Sequence, residues 1–490
     1  MTLMQNRFVR SLISSAAAAA LCGCAVGPNY VRPSTPVAPA FKEQGGKAQG
    51  WNPAQPADLA PRGDWWSLFN DPTLAALEAR VAISNQNVVA AEAAYRQAEG
   101  LVREDRAALL PTIDLGGGGT RSGGGSGSSG TVITSGGGSV VTGGSGRSSN
   151  TYRASANASW EPDVWGRIRR TIEGARGSAQ ASEADLAAAK LSAQGALASD
   201  YFSLRQNDAE ISLLTEVVDG YRRSLQITQN RFNAGIAPHS DVLQAQTQLA
   251  SAQGDLADIG RTRAAFEHAI AVLVGETPST FSLAADPNWK AVVPEVPAGL
   301  PSNLLQRRPD IAGAERRAAA ASAQIGVQEA AWFPSLTLTG SYGFSASEIG
   351  RLFNVSSSVW SYGASVAQTL FDGGATAARV SEARAAYDQA VAQYRQTVLA
   401  AFQDVEDQLA AQRVLATEWE YRRQSAEAGQ LAATMMLNQY KEGQVAYTDV
   451  VTAQATALTA RRTLVQATGT RQTTAVALVQ GLGGGWTAPF

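Results

Sequence analysis

A long internal repeat constrains the fold of this chain more than any other sequence feature. An aromatic residue, a glycine and an aspartate recur at a separation of 208 residues, in Asn230–Gly235 followed by Asp241 and in Asn438–Gly443 followed by Asp449. Upstream the separation is 223, and the difference falls in a glycine- and serine-rich insertion of the first copy, Gly116–Gly146. The chain is therefore interpreted as two copies of one unit of more than 200 residues, a period too long for a small solenoid repeat.

Two very long helices are predicted, one in each copy. Helical periodicity covers Gly166–Asn233 and Gly374–Lys441, which are 68 residues each and about 102 Å long at 1.5 Å per residue. Gly235 and Gly443 follow these helices and suit the left-handed position after a helix C-terminus. Each copy then returns in a shorter helix that an aspartate is expected to cap: Asp241–Val274 and Asp449–Leu478.

Between the helices the hydrophobic period changes to two. Apolar and small polar residues alternate over Leu336–Phe344 and Trp360–Val366, and over Tyr152–Trp160 in the first copy. Strands of this kind suit a membrane barrel, but a soluble hairpin with one buried face has the same pattern. Two strand pairs supply four strands, which cannot close a barrel in lipid. A barrel therefore requires several chains. Two chains supply eight strands, and three chains supply twelve.

The N-terminus has the pattern of a secretory signal. Arg7 and Arg10 precede an apolar run that is too short to span a bilayer. The sequence Leu21-Cys22-Gly23-Cys24 follows and resembles a bacterial lipobox, whose cysteine is acylated and becomes the first residue of the mature chain. We expect lipidation at Cys24; the alternative is an ordinary signal peptide with an unrelated cysteine. Beyond the signal, no apolar run is long enough for a transmembrane helix.

Composition excludes several classes of function. The chain of 490 residues has 40 basic and 42 acidic side chains, so it lacks the basic excess of a nucleic-acid partner. Two cysteines and two histidines are too few for a disulfide framework or a typical zinc site. The glycine run Gly116–Gly119 lacks the lysine of a phosphate loop and is interpreted as part of a flexible surface loop. We therefore predict no enzyme activity, no cofactor and no metal site.

Four motifs carry a resemblance to a known family: Trp65-Trp66 with Asp71-Pro72, Arg307–Ile311, Phe333–Leu336 and Phe371–Gly374. Together they resemble the TolC-like outer-membrane efflux proteins, and most closely the NodT-type outer-membrane lipoproteins of RND tripartite efflux systems. The resemblance covers essentially the whole mature chain. It implies a mainly α fold with a small membrane β-barrel. In that fold four strands per chain form a twelve-stranded barrel in a homotrimer, over a long α-helical periplasmic tunnel.

The resemblance also implies a function. Such a protein is lipid-anchored in the outer membrane and passively conducts drugs or other small toxic solutes to the exterior. A periplasmic adaptor protein and an RND-type inner-membrane transporter supply it from below. One alternative is a type I secretion channel of the same fold, which usually lacks a lipobox. The other is a trimeric adhesin or structural stalk, against which the two separate strand pairs argue.

The resemblance places a gate at the helix ends. Asp241 and Tyr440 fall at the positions of a side-chain link that holds the periplasmic end closed, and Asp449 would supply three carboxylates near the axis of a trimer. Plain helix capping is the alternative for both aspartates. Val445 and Thr452 depart from the family, since some relatives have an arginine of the lock and a second acidic ring there.

The turns at Gly235 and Gly443 are implied as the docking tips for the adaptor.

The expected division of the chain is a signal peptide 1–23, an acylated linker 24–70, a first repeat 71–275 with a strand pair at about 111–165, an inter-repeat equatorial segment 276–300, a second repeat 301–478 with a strand pair at about 334–371, and a tail 479–490.

Overall fold

The computed structural model describes 25–35, 37–44, 63–122, 149–286, 289–294, 296 and 307–484. The predicted signal peptide and Cys24 lie outside the described residues, as does most of the glycine- and serine-rich insertion.

The described residues form seven α-helices, whose bounds confirm the duplication. The two longest, α3 and α6, have 67 residues each, and the helices that follow them, α4 and α7, have 35 each. The corresponding helices of the two repeats, α3 with α6 and α4 with α7, begin and end 208 residues apart. In chain order the helices are α1 Pro72–Ser84, α2 Gln86–Ala107, α3 Arg167–Asn233, α4 His239–Leu273, α5 Pro309–Glu329, α6 Ala375–Lys441 and α7 Tyr447–Gly481.

Helix α1 begins with an aspartate cap followed by a proline. The Asp71 carboxylate accepts hydrogen bonds from the N–H groups of Thr73 and Leu74, at 2.9 and 3.1 Å, and Pro72 occupies the first helical position.

The N-caps predicted at Asp241 and Asp449 were wrong. Helices α4 and α7 begin two residues earlier, and Pro238 and Ala446 stand at the cap positions. Neither of these residues has a side chain that can accept a hydrogen bond, so both aspartates lie inside the first turn and are used there in other ways.

Four strands form one antiparallel sheet in the order β1-β2-β3-β4. The central pair joins the two sequence copies, since Ala156 lies opposite Tyr342. Within the described residues β1 and β4 therefore form the two edges of the sheet. The strands are β1 Thr112–Ser122, β2 Ser149–Trp160, β3 Ser335–Ala346 and β4 Ser358–Ala367.

The interpretation of Gly116–Gly119 as loop was wrong. These glycines belong to β1, where Gly116 pairs with Ser155 and Gly119 with Tyr152. Glycine has a weak intrinsic preference for strands, but the backbone ladder to β2 needs no side chain. At Gly119 the ring of Tyr152 lies so close that a Cβ would meet it at 3.1 Å, so the glycine makes room for the aromatic side chain.

The chain divides into two compact units that do not coincide with the two repeats, since each unit contains residues of both. The described residues of the first unit lie within Met1–Val31, Glu99–Gly177 and Ala319–Gln389, and those of the second within Arg32–Ala98, Ser178–Ala318 and Ala390–Phe490. Among the described helices, none carries an apolar stretch long enough to cross a bilayer.

In the first unit, an arginine clamp holds the segment that follows the predicted lipidation site. Arg170 is almost fully buried and donates to the carbonyls of Val26 and Gly27 at 3.1 and 3.0 Å, and to Asn29 Oδ1 at 3.0 Å. The N–H of Val26 donates to the carbonyl of Trp165 at 3.0 Å. The chain immediately after Cys24 is thus part of the folded first unit.

The second unit holds the largest apolar cluster of the described residues. Trp65 and Phe69 are 2% exposed there, and the partly buried Trp66 packs against the same cluster. Leu74 and Leu77 of α1 join the same cluster, and so does Phe41 of the N-terminal linker.

One carboxyl group of the second unit is buried without a partner. Glu78 of α1 is 0% exposed, and neither of its oxygens has a hydrogen-bond partner. Burial raises the pKa of Glu78 to about 9, so this carboxyl group is neutral at physiological pH.

Part of the inter-repeat segment is held by buried charges. Asp208 accepts from Arg205 at 2.9 Å and from Arg263 at 2.6 Å. The same two arginines donate to the carbonyls of Ala284 and Leu283. A paired charge cluster of this kind fixes the path of a segment that has no regular secondary structure.

Candidate functional site: the ends of the long helices

The two long helices end in turns of the same geometry. Gly235 and Gly443 have φ values of 74° and 79°, which glycine adopts without strain. In each turn the glycine N–H donates to the carbonyl three residues earlier, at 2.8 and 3.0 Å. Both glycines are exposed, and Ile236 beside the first is 65% exposed. The predicted C-caps are confirmed.

The structure brings together Asp241 and Tyr440. The Tyr440 hydroxyl donates to Asp241 Oδ2 at 3.1 Å, which joins the last turn of α6 to the first turn of α4. Burial, followed by the hydrogen bond to Asp241, raises the pKa of Tyr440 to about 12. The phenol therefore keeps its proton and remains the donor throughout the physiological pH range.

A third residue of this site, Arg231, was missed by sequence reasoning. Its guanidinium carbon lies 4.8 Å from the centre of the Tyr440 ring, and its Nη1 donates to the Lys441 carbonyl at 2.9 Å. The sequence did contain one sign of a special role for Arg231: the two repeats differ there, since the equivalent position in the second copy is Gln439.

A small apolar core lies behind the link. The rings of Tyr440 and Tyr447 are 5.1 Å apart, and both pack with Ala245 and Val450. Val445, at the position where some relatives have an arginine, packs against the same cluster. The hydroxyl of Tyr447 is buried without a hydrogen-bond partner, and burial raises the pKa of this tyrosine.

The equivalent positions of the other repeat are used differently. Asp449 is exposed, and its Oδ2 accepts from the Ala446 N–H at 3.2 Å, so it satisfies a free donor at the start of α7. Phe232 is the counterpart of Tyr440 and has no hydroxyl; its ring lies 5.0 Å from that of the exposed His239. Of the two long helices, α6 alone therefore forms a tyrosine–aspartate link to the returning helix of the other repeat.

Thr452 follows Asp449 by one turn and is also exposed. Its hydroxyl donates to the Thr448 carbonyl at 2.9 Å, a local helix contact. Within the described ranges, no three His, Cys, Asp or Glu side chains are grouped as metal ligands.

A family model described as "Outer membrane efflux protein" matches residues 68–276 and 300–484, which include both repeats and both helix ends. The chain belongs to the outer membrane efflux protein family.

Members of the outer membrane efflux protein family resemble the chain over nearly its full length. The toluene efflux pump outer membrane protein TtgC of Pseudomonas putida is 29% identical over 487 residues, which is 97% of this chain and 96% of that protein. The cation efflux system protein CusC of Escherichia coli K12 is 27% identical over 478 residues, or 97% and 99% of the two chains.

Solved structures of channels show the same fold. The outer-membrane channel OprN has a TM-score of 0.81 at 29% identity and covers 94% of this chain and 100% of its own. The open state of the Neisseria gonorrhoeae MtrE outer membrane channel has a TM-score of 0.80 at 28% identity and covers 94% and 98%. The mainly α fold with four strands per chain is thus shared with outer-membrane channels.

Proposed function

We propose that this outer membrane efflux protein is the exit channel of a tripartite efflux pump, which passively conducts drugs or other small toxic solutes to the exterior. The observation that carries the proposal is the family match to both repeats, including the helix ends that close on each other through Tyr440 and Asp241. A passive conduit requires no catalytic group, cofactor or resident metal, because the free energy is supplied by the pump.

The open sheet supports a trimer. One chain contributes four antiparallel strands, and the outer edges of β1 and β4 must be paired in lipid, because an unpaired backbone group costs several kcal/mol there. Three chains make a twelve-stranded barrel, which is wide enough for a lumen, whereas the eight strands of two chains would fill their interior with side chains. The six long helices of a trimer would then surround the periplasmic tunnel.

The proposed partners bind at the exposed helix turns and at the N-terminus. The exposed turns at Gly235 and Gly443 are the docking tips for a periplasmic adaptor protein, which connects the channel to an RND-type inner-membrane transporter. Acyl chains on Cys24 anchor the N-terminus in outer-membrane lipid. The clamp formed by Arg170 supports this placement, since it fixes the chain from Val26 onward.

The gate lies at the helix ends. The bond between Tyr440 and Asp241 holds α6 against α4 and so favours a closed tip. Asp449 is exposed one turn beyond Gly443, so a trimer carries three such carboxylates; a ring of this kind near the axis attracts cations and disfavours anions.

Gene deletion and complementation test the proposal. Loss of the gene should sensitise the host to at least one small toxic solute, and the full-length gene should restore resistance. Protein secretion by the same cells should be unchanged. A secretion defect with unchanged solute resistance would instead support a type I secretion channel.

A further inference from the structure

Arg231 connects the ends of the two long helices. It lies in the last turn of α3, its guanidinium covers the Tyr440 ring at 4.8 Å, and its Nη1 donates to the Lys441 carbonyl at 2.9 Å. Its Nη2 also lies 3.9 Å from the point that a Cβ on Gly443 would occupy. One side chain of the first repeat therefore contacts the final turn of the second repeat's helix and lies beside the glycine that ends it.

The Lys441 carbonyl is a suitable acceptor for a cation. The last carbonyls of a helix have no partner within the helix and carry the negative end of its dipole. In α6, the carbonyls of Asn438, Gln439 and Tyr440 accept N–H groups of the following turn. Arg231 satisfies the next carbonyl along the chain, so the arginine completes the C-terminal cap of α6 from another helix.

The shape of the guanidinium allows both contacts at once. Its edge donates to a carbonyl while its flat face lies over an aromatic ring, and an ammonium group has no such face. The Tyr440 ring contacts both this cation, at 4.8 Å, and the ring of Tyr447, at 5.1 Å. That arrangement fixes the direction in which the Tyr440 hydroxyl points.

We propose that Arg231 is the positioning residue of the gate: it orients Tyr440 so that the hydroxyl meets Asp241, and it ties the ends of α3 and α6 together. The inference rests on the proposed function, because it names the group that sets the strength of the closed state. It gives each chain one lock, since Gln439 and Phe232 stand at the equivalent positions of Arg231 and Tyr440.

Single-channel recording of the purified full-length protein in planar bilayers tests this role. Arg231→Ala should raise the open-to-closed ratio by at least about tenfold, because one cation–π contact and one charged hydrogen bond are lost. Arg231→Lys should give an intermediate ratio, because it keeps a donor and loses the stacking face. The control is Arg222→Ala, which removes an exposed arginine of the same helix that pairs with Asp219.

A double mutant separates positioning from a general structural effect. If Arg231 acts partly through Tyr440, Arg231→Ala should raise the open-to-closed ratio less in a Tyr440→Ala background than in the wild type, where both the ring contact and the bond to Lys441 are lost. Independent effects that multiply, or an unchanged ratio for Arg231→Ala alone, would overturn the proposal. The melting temperature of each variant, measured in detergent, identifies any that fail to fold.

Asp241→Ala distinguishes failure of this inference from failure of the gate. If Asp241→Ala opens the channel and Arg231→Ala does not, only the role of Arg231 is wrong. If neither substitution changes the ratio, the gate itself is wrong and the role of Arg231 is rejected with it.

Discussion

The hydroxyl of Tyr440 donates a hydrogen bond to the carboxylate of Asp241 across 3.1 Å. The two residues are 199 positions apart and belong to different repeats, so the bond joins the end of one repeat's long helix to the start of the other's returning helix. A hydrogen bond to a charged group contributes roughly 1.5–3 kcal/mol, which suits a lock that must also open.

Removing this bond should make the channel leak. Tyr440→Phe combined with Asp241→Ala should increase the entry of large antibiotics into cells, because the tip loses its hydrogen bond while the ring of residue 440 remains. Minimum inhibitory concentrations of a large antibiotic measure the effect. Thr448→Ala, an exposed position in the first turn of α7, is the control. Equal susceptibility of the double variant and the wild type would contradict the lock.

Asp449 should determine how multivalent cations block the channel. Asp449→Ala should raise the blocking constants severalfold in planar bilayers, because three carboxylates of a trimer are removed. Asp449→Asn keeps an oxygen that can accept from the Ala446 N–H and removes the charge, so it should have the same effect. Block that weakens in the alanine variant alone would assign Asp449 to helix capping.

Glu78 should make stability depend on pH. Its pKa is raised to about 9, so the folded chain holds a proton that the unfolded chain releases above about 4.5. The contribution of Glu78 to the free energy of unfolding is therefore most favourable below its unfolded-state pKa of 4.5 and declines as the pH rises toward 9. At pH 7 the loss is about 3 kcal/mol.

Glu78→Gln should remove this dependence and raise the melting temperature at pH 8. The measurement is thermal unfolding in detergent between pH 5 and 9, with the exposed Glu104→Gln as control. A melting temperature of Glu78→Gln that falls with pH as steeply as the wild type would show that Glu78 is not the group responsible.

Arg170 should control the mobility of the N-terminal segment. Arg170→Ala removes three hydrogen bonds to Val26, Gly27 and Asn29, so amide hydrogen exchange in 25–31 should accelerate by about tenfold or more. Arg167→Ala, at an exposed position of the same helix that pairs with Glu161, should leave exchange unchanged. Protection that persists in Arg170→Ala would mean that other contacts hold the segment.

Sequence patterns predicted the regular part of the fold. The separation of 208 residues, the glycines at 235 and 443 and the change of period near 334 located the long helices and the strands, because each depends on local preference or on repetition. Arg231 was not found, since its acceptor Lys441 lies 210 residues away and no local pattern reports a contact between remote side chains. The strand through Gly116–Gly119 was missed for a similar reason: its partner strand, not its composition, determines its structure.

The most direct test of the proposed channel is the ionic conductance of the purified full-length protein in planar bilayers. We predict a trimer with a small conductance in the wild type, which increases when Tyr440→Phe and Asp241→Ala are combined. A preparation of folded protein that conducts no ions in either form would contradict the central claim.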